Sequence, residues 1–190
     1  MATMEEFSPE LISEFVIAAH NNLEKVKQLL EQYPGLLNAI DPQGKETALA
    51  AASHVGNAEI ARYLLSKGAP LTIFAAASLG MTEKVAEFLD TDPNLVHAIG
   101  SHGIPLLSHA AISGKTEIAD LLVHYGGGEG ASAALSPVSS FGHLEMAKWL
   151  LDHGADLSTR NFQNLTPLAI AVKREHRELA ELYRQHGAVE

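Results

Sequence analysis

The run Gly142-His143-Leu144-Glu145-Met146-Ala147-Lys148-Trp149-Leu150-Leu151-Asp152-His153-Gly154-Ala155-Asp156 decides the fold. A glycine turns the chain, a helix-length stretch follows, and a second glycine closes it. Glycine suits both ends because it enters the left-handed region without steric cost. The same plan recurs along the chain. Apolar residues at helical spacing mark the other outer stretches, as in Ile60, Tyr63 and Leu64 or Val85, Phe88 and Leu89. C-cap glycines stand at Gly68, Gly126, Gly154 and Gly187.

Working outward, six turn residues align: Asn21, Gly56, Gly80, Gly114, Gly142 and Glu175. Their spacings are 35, 24, 34, 28 and 33 residues, alternating long and short. Steps of two repeats are nearly constant, at 59, 62, 58 and 61 residues. The chain therefore reads as three copies of a two-repeat unit. A second echo agrees: Leu29–Ile40 matches Phe88–Ile99, each carrying a proline after the outer helix. Each block predicts a short, Ala-rich inner helix, a turn and a longer outer helix. Ser8, Pro9 and Glu10 form a start signal for the first helix.

Three motifs point to a family. They are Gly-His-x-Glu at residues 142–145, Leu-Leu-x-x-Gly-Ala-Asp at 150–156, and Asn161-Phe162-Gln163-Asn164-Leu165-Thr166-Pro167-Leu168. Asp41-Pro42-Gln43-Gly44 with Thr47-Ala48-Leu49 is a fourth, with one residue inserted before the threonine. In these the chain resembles ankyrin-repeat proteins over residues 8 to 190. The resemblance implies an all-α solenoid of six helix-turn-helix repeats, approximately 8–40, 41–71, 72–99, 100–130, 131–160 and 161–190, in one domain 1–190. The family's histidine after Pro-Leu is replaced by Ala50, Ser108, Ser136 and Ala169. The short spacings leave no room for a β-hairpin before the third and fifth repeats. Hairpin tips are expected only near Asp41–Glu46, Gly100–Ile104 and Asn161–Leu165, with tips two repeats apart separated by roughly 20 Å. Pro137 falls inside the inner helix of repeat five, within its first turn or at a kink.

Composition excludes several function classes. The 190 residues carry a formal net charge of −10 and 46% hydrophobic residues. An acidic chain with a real core is a poor match for nucleic acid or anionic lipid. Cysteine is absent, which removes disulfides, thiolate catalysis and Cys-type metal sites. No run of about 18 apolar residues occurs. The N-terminal Met-Ala-Thr-Met-Glu-Glu-Phe lacks the basic and apolar regions of a secretory signal, so a soluble, cytoplasmic monomer is expected.

Candidate chemistry is sparse. Of 10 histidines, His143, His176, His153 and His186 occupy repeat positions and His124 sits near a helix end. No His-Glu-x-x-His or His-x-x-x-His stretch occurs, and no metal, cofactor or catalytic residue is expected. His20 and His54 end the inner helices of adjacent repeats and are the pair to watch. Gly126–Gly130 lacks the Gly-Lys-Ser/Thr ending of a phosphate loop and reads as a connector. The recurring Glu24, Glu59, Glu83, Glu117, Glu145 and Glu178 read as a solvated stripe.

The resemblance implies a non-enzymatic scaffold that binds another protein through its concave groove and loop tips. The competing reading is a small-molecule binder or enzyme with a pocket on that face. In the family pattern, the two residues before each turn face the groove. The expected partner-binding residues are His20, His54, Val55, Leu79, Ile112, Phe141, Lys173 and Arg174, with His102 and Phe162 on the tips. Val55, Leu79, Ile112 and Phe141 are expected to form an exposed apolar strip.

Overall fold

The computed structural model describes residues 7–189; the N-terminal residues read above as lacking a signal lie, apart from Phe7, outside the described residues. The described residues form twelve α-helices and no β-strand. They run in pairs: α1 (Pro9–Ala18) and α2 (Leu23–Gln32), α3 (Ala48–His54) and α4 (Ala58–Ser66), α5 (Ile73–Ser78) and α6 (Thr82–Thr91), α7 (Leu106–Ser113) and α8 (Thr116–His124), α9 (Ala131–Phe141) and α10 (Leu144–Asp152), α11 (Pro167–Lys173) and α12 (Arg177–Gln185). Odd-numbered helices stack into an inner layer and even-numbered ones into an outer layer.

Local chemistry sets the helix boundaries. Ser8 caps α1 by accepting from Leu11 N. Thr47, Thr72 and Thr166 cap α3, α5 and α11 in the same way, each 3.2 Å from the amide three residues on. Turn residues Gly56, Gly80, Gly114, Gly142 and Glu175 all have positive φ, as do Gly68, Gly126, Gly154 and Gly187, each one residue past the C-cap of an outer helix. Small buried residues of the inner helices, including Ala51, Ala52, Ala76, Ala77, Ala110 and Ala111, let neighbouring backbones approach closely.

Two apolar clusters make the core, and they meet in repeat three. One runs from Phe15 to Ala75 and the other from Ile73 to Tyr183, with Leu71 packed against both. The echoed segments fold alike: Pro34–Asn38 and Pro93–His97 are 3-10 turns, each followed by an isolated antiparallel bridge, Ile40 to Thr47 and Ile99 to Pro105. The third unit departs from them, reaching its tip through Gly154-Ala155-Asp156 without a 3-10 turn. The link at residues 70–72 has no hairpin, and the third tip closes through Asn161 N to Leu165 O at 3.0 Å.

Two expectations need correction. Pro137 is the seventh residue of an eleven-residue helix, which overturns the first-turn alternative but not the kink. It has no N–H for the Ala133 carbonyl four residues back. The tips of repeats two and four are not about 20 Å apart; they touch, with His102 Nε2 3.1 Å from Glu46 Oε1. The reason lies in repeat three between them. It has no tip to hold its neighbours apart, and its inner helix α5 is only 6 residues long.

Candidate functional site

The three tips differ by one residue, and that residue builds the site. The loops Gly100–Ile104 and Asn161–Leu165 close with an amide-to-carbonyl bond between residues four apart. In repeat two, Asp41 N bonds Glu46 O, five residues on. Asp41 pins this longer loop by accepting from the Ser13 hydroxyl and from Gly44 N, and these bonds hold its carboxyl below the usual range. Lys45 takes a left-handed conformation with φ 56°. The position just before the helix cap, Leu71, Ile104 and Leu165 in repeats three, four and six, is then filled by Glu46. A carboxylate lies buried where three sister repeats place an aliphatic side chain.

Histidines from three repeats surround it. His54 is the last residue of α3, and Glu46 stands in the tip loop just before the Thr47 cap of the same helix. Its Nε2 is 3.1 Å from Glu46 Oε2. That contact is out of line for a hydrogen bond, so both atoms are buried without a hydrogen-bond partner. His102 reaches Glu46 Oε1 from the tip of repeat four, where its backbone φ is 58°. His20, just past α1, places Nε2 3.8 Å from the same oxygen. Burial raises the Glu46 carboxyl, but His54 and His102 outweigh it and hold it below its ordinary value. The rings of His20, His54 and His102 meet edge to face, with centroids 5.2 and 5.1 Å apart.

From this cluster a groove of about 840 Å³ runs along the inner layer to the last repeat. Val55, Ile112, Phe141 and Phe162 supply apolar surface, Ser108, Ser132, Ser136 and Ser140 supply hydroxyls, and Arg160 and Arg174 line the far end. No Asp or Glu lines the groove, although the chain as a whole is strongly acidic.

Most of the residues predicted to face a partner do converge here: His20, His54, Val55, Ile112, Phe141, Phe162 and Arg174 line the groove. His102 is a tip residue on Glu46, and Lys173 is exposed at the end of α11 outside the groove lining. The expected exposed strip is shorter than predicted. Val55 (37% exposed) and Phe141 (42%) are open, while Ile112 is 7% exposed and Leu79 packs against the N-terminal core cluster. Phe162, at 95% exposed, is the most open apolar side chain in the groove. Glu46 was not singled out from the sequence. The inserted residue before Thr47 was the available signal for Glu46.

Five other histidines make local or inter-repeat contacts. His143 Nε2 lies 2.9 Å from Ile112 O and His176 Nε2 3.2 Å from Ser140 O, each tying an outer helix to the preceding inner one. Asn57 makes the equivalent bond to His20 O. His153 and His186 turn back onto Trp149 O and Leu182 O. His97 pairs with Glu129 of the glycine-rich connector.

Comparison with known proteins agrees with this architecture. The family description "Ankyrin repeats (3 copies)" matches residues 72–161, and "Ankyrin repeat" matches 45–76. The chain is similar to the rat "Ankyrin repeat and SAM domain-containing protein 6", 34% identical over 94 residues, covering 46% of this chain and 11% of that protein. It is also similar to a "Putative ankyrin repeat-containing protein" of Treponema pallidum (strain Nichols), 33% identical over 94 residues, covering 46% of this chain and 32% of that one. A third relative is the "Potassium channel AKT1" of Oryza sativa subsp. indica, 32% identical over 78 residues, with 38% and 8% covered. In each case the match spans less than a third of the relative's length. Helix pairs, repeat spacing and family matches agree: the chain belongs to the ankyrin-repeat family.

Proposed function

We propose that the chain is a non-enzymatic, monomeric scaffold that holds an extended, acidic and apolar segment of a partner protein in its concave groove. The observation that carries this reading is the groove's charge. Arg160 and Arg174 line its far end and no carboxylate lines it, in a chain of net charge −10. Arg174 is exposed and has no ion pair among the described residues, so its guanidinium is available to a carboxylate. Phe141 and Phe162 offer aromatic anchors of the kind that dominate protein interfaces. Ankyrin repeats in general mediate protein–protein contacts. No helix among the described residues is long and apolar enough to cross a membrane, and the lack of cysteine suits a reducing, cytoplasmic setting.

The test is a peptide array of acidic-apolar, neutral and basic segments, probed with the full chain. Acidic-apolar peptides should bind best, and Arg174→Glu and Phe162→Ser should each weaken binding without lowering the melting temperature. Equal binding of basic peptides, or unchanged binding by both folded variants, would overturn the reading.

A further inference from the structure

The geometry points to a divalent transition-metal site, of zinc type, formed by His20 Nε2, His54 Nε2 and the Glu46 carboxylate at the head of the groove. This departs from the expectation, drawn from sequence spacing, that no histidine here binds a metal. Spacing along one helix could not reveal a set that draws ligands from three separate elements. The ligand atoms of the three residues all lie within 4.8 Å of one another. A tetrahedral ion with bonds of about 2.0–2.2 Å holds its ligands about 3.4 Å apart, so side-chain adjustments that bring them up to about 1.4 Å closer would close the set.

Three observations beyond proximity support it. Glu46 Oε2 and His54 Nε2 are buried, face each other and have no hydrogen-bond partner, although the Glu46 side chain is only 3% exposed. Leaving such groups unsatisfied is costly, and a cation between them would satisfy both. His20 is oriented as a ligand: its Nδ1 lies 3.1 Å from Val16 O and 3.2 Å from Ile17 O. A neutral ring therefore carries its proton on Nδ1 and presents the Nε2 lone pair to the carboxylate. Outer-shell contact with a backbone carbonyl is the usual way a metal-bound imidazole has its tautomer fixed. His102 holds the other carboxylate oxygen, Oε1, so Oε2 faces His54 without a hydrogen bond. Two imidazoles and one carboxylate suit zinc, cobalt or nickel rather than magnesium or calcium. Because His20 and His54 also line the groove, the fourth position faces solvent and takes water.

The test is titration of Zn²⁺ into the full chain by calorimetry, with Co²⁺ absorption as a report of coordination. We expect one ion per chain, visible bands of a four-coordinate cobalt site, and a raised melting temperature. Glu46→Gln and His54→Ala should each weaken binding about a hundredfold or more, whereas His97→Ala, at an exposed His–Glu pair, should not. Absence of stoichiometric binding, or binding retained by both folded variants, would overturn the site. If those variants fail to fold, histidine ring resonances of the unmodified chain decide. One equivalent of Zn²⁺ must shift His20 and His54, and shifts confined to other histidines would overturn the assignment.

Discussion

The ring of Phe141, in the fifth repeat, lies directly over Gly56, in the turn of the second. A Cβ on residue 56 would fall inside the envelope of Phe141 Cζ and 2.9 Å from Ile112 Cγ2. Gly56 also has φ 75°, where other residues are strained. Gly56→Ala should therefore lower stability by about 1–3 kcal/mol in urea denaturation. Part of that loss should return when Phe141→Ala is added, because the smaller side chain removes the clash. Strict additivity in the double-mutant cycle would show that the two residues do not interact.

His109 predicts an acid sensitivity. It is buried on α7 against Phe74, with neither ring nitrogen hydrogen-bonded. Burial, aided by nearby His54, pushes its imidazole down to about 4 from an ordinary 6.5. Between those values the unfolded chain takes up a proton that the folded chain refuses. Stability is then full above pH 6.5 and falls as pH drops towards 4, by about 2 kcal/mol at pH 5. His109→Leu removes no hydrogen bond and should be neutral or stabilising at pH 7. It should also flatten the difference between pH 7 and pH 5, measured by urea denaturation at each pH.

Tyr183 predicts the opposite limb. Its hydroxyl donates to Ser139 Oγ at 2.9 Å, since Ser139 itself donates to Leu135 O. Burial raises the phenol from an ordinary 10 to about 12. The folded state keeps its proton where the unfolded state has lost it, so stability is full below pH 10 and falls between 10 and 12. The loss should be about 2 kcal/mol, and Tyr183→Phe should abolish this slope in denaturation curves taken at pH 9 and 11.

The inter-repeat histidines predict selective losses. His143→Ala removes the bond to Ile112 O and should cost about 1 kcal/mol. His153→Ala, at an exposed helix end, should cost less than about 0.5 kcal/mol by thermal denaturation.

The repeat plan was legible because it is local. Glycine turns, the Ser8 start signal and the period of Ile60, Tyr63 and Leu64 are each decided within a few residues, and all fold as their spacing predicts. The groove was legible in outline for the same reason: residues at equivalent repeat positions share a face. What escaped was non-local. Leu79 occupies the same repeat position as Val55 and Phe141 yet packs into core, since burial depends on neighbouring repeats. Glu46 gains its meaning only when repeats one, two and four converge. That convergence depends on what repeat three lacks.

The missing tip of repeat three has a consequence for how the array unfolds. An ordinary solenoid behaves as a one-dimensional chain, each unit stabilised by its immediate neighbours alone. Here repeat two reaches past repeat three to repeat four at both ends of its inner helix, through Glu46–His102 and Gly56–Ile112. Such second-neighbour coupling penalises any state in which one of these repeats is open and the other closed. With Phe141 of repeat five also lying over Gly56, repeats two to five should melt as a single cooperative block, and the peeling expected of a linear stack should halt at its borders.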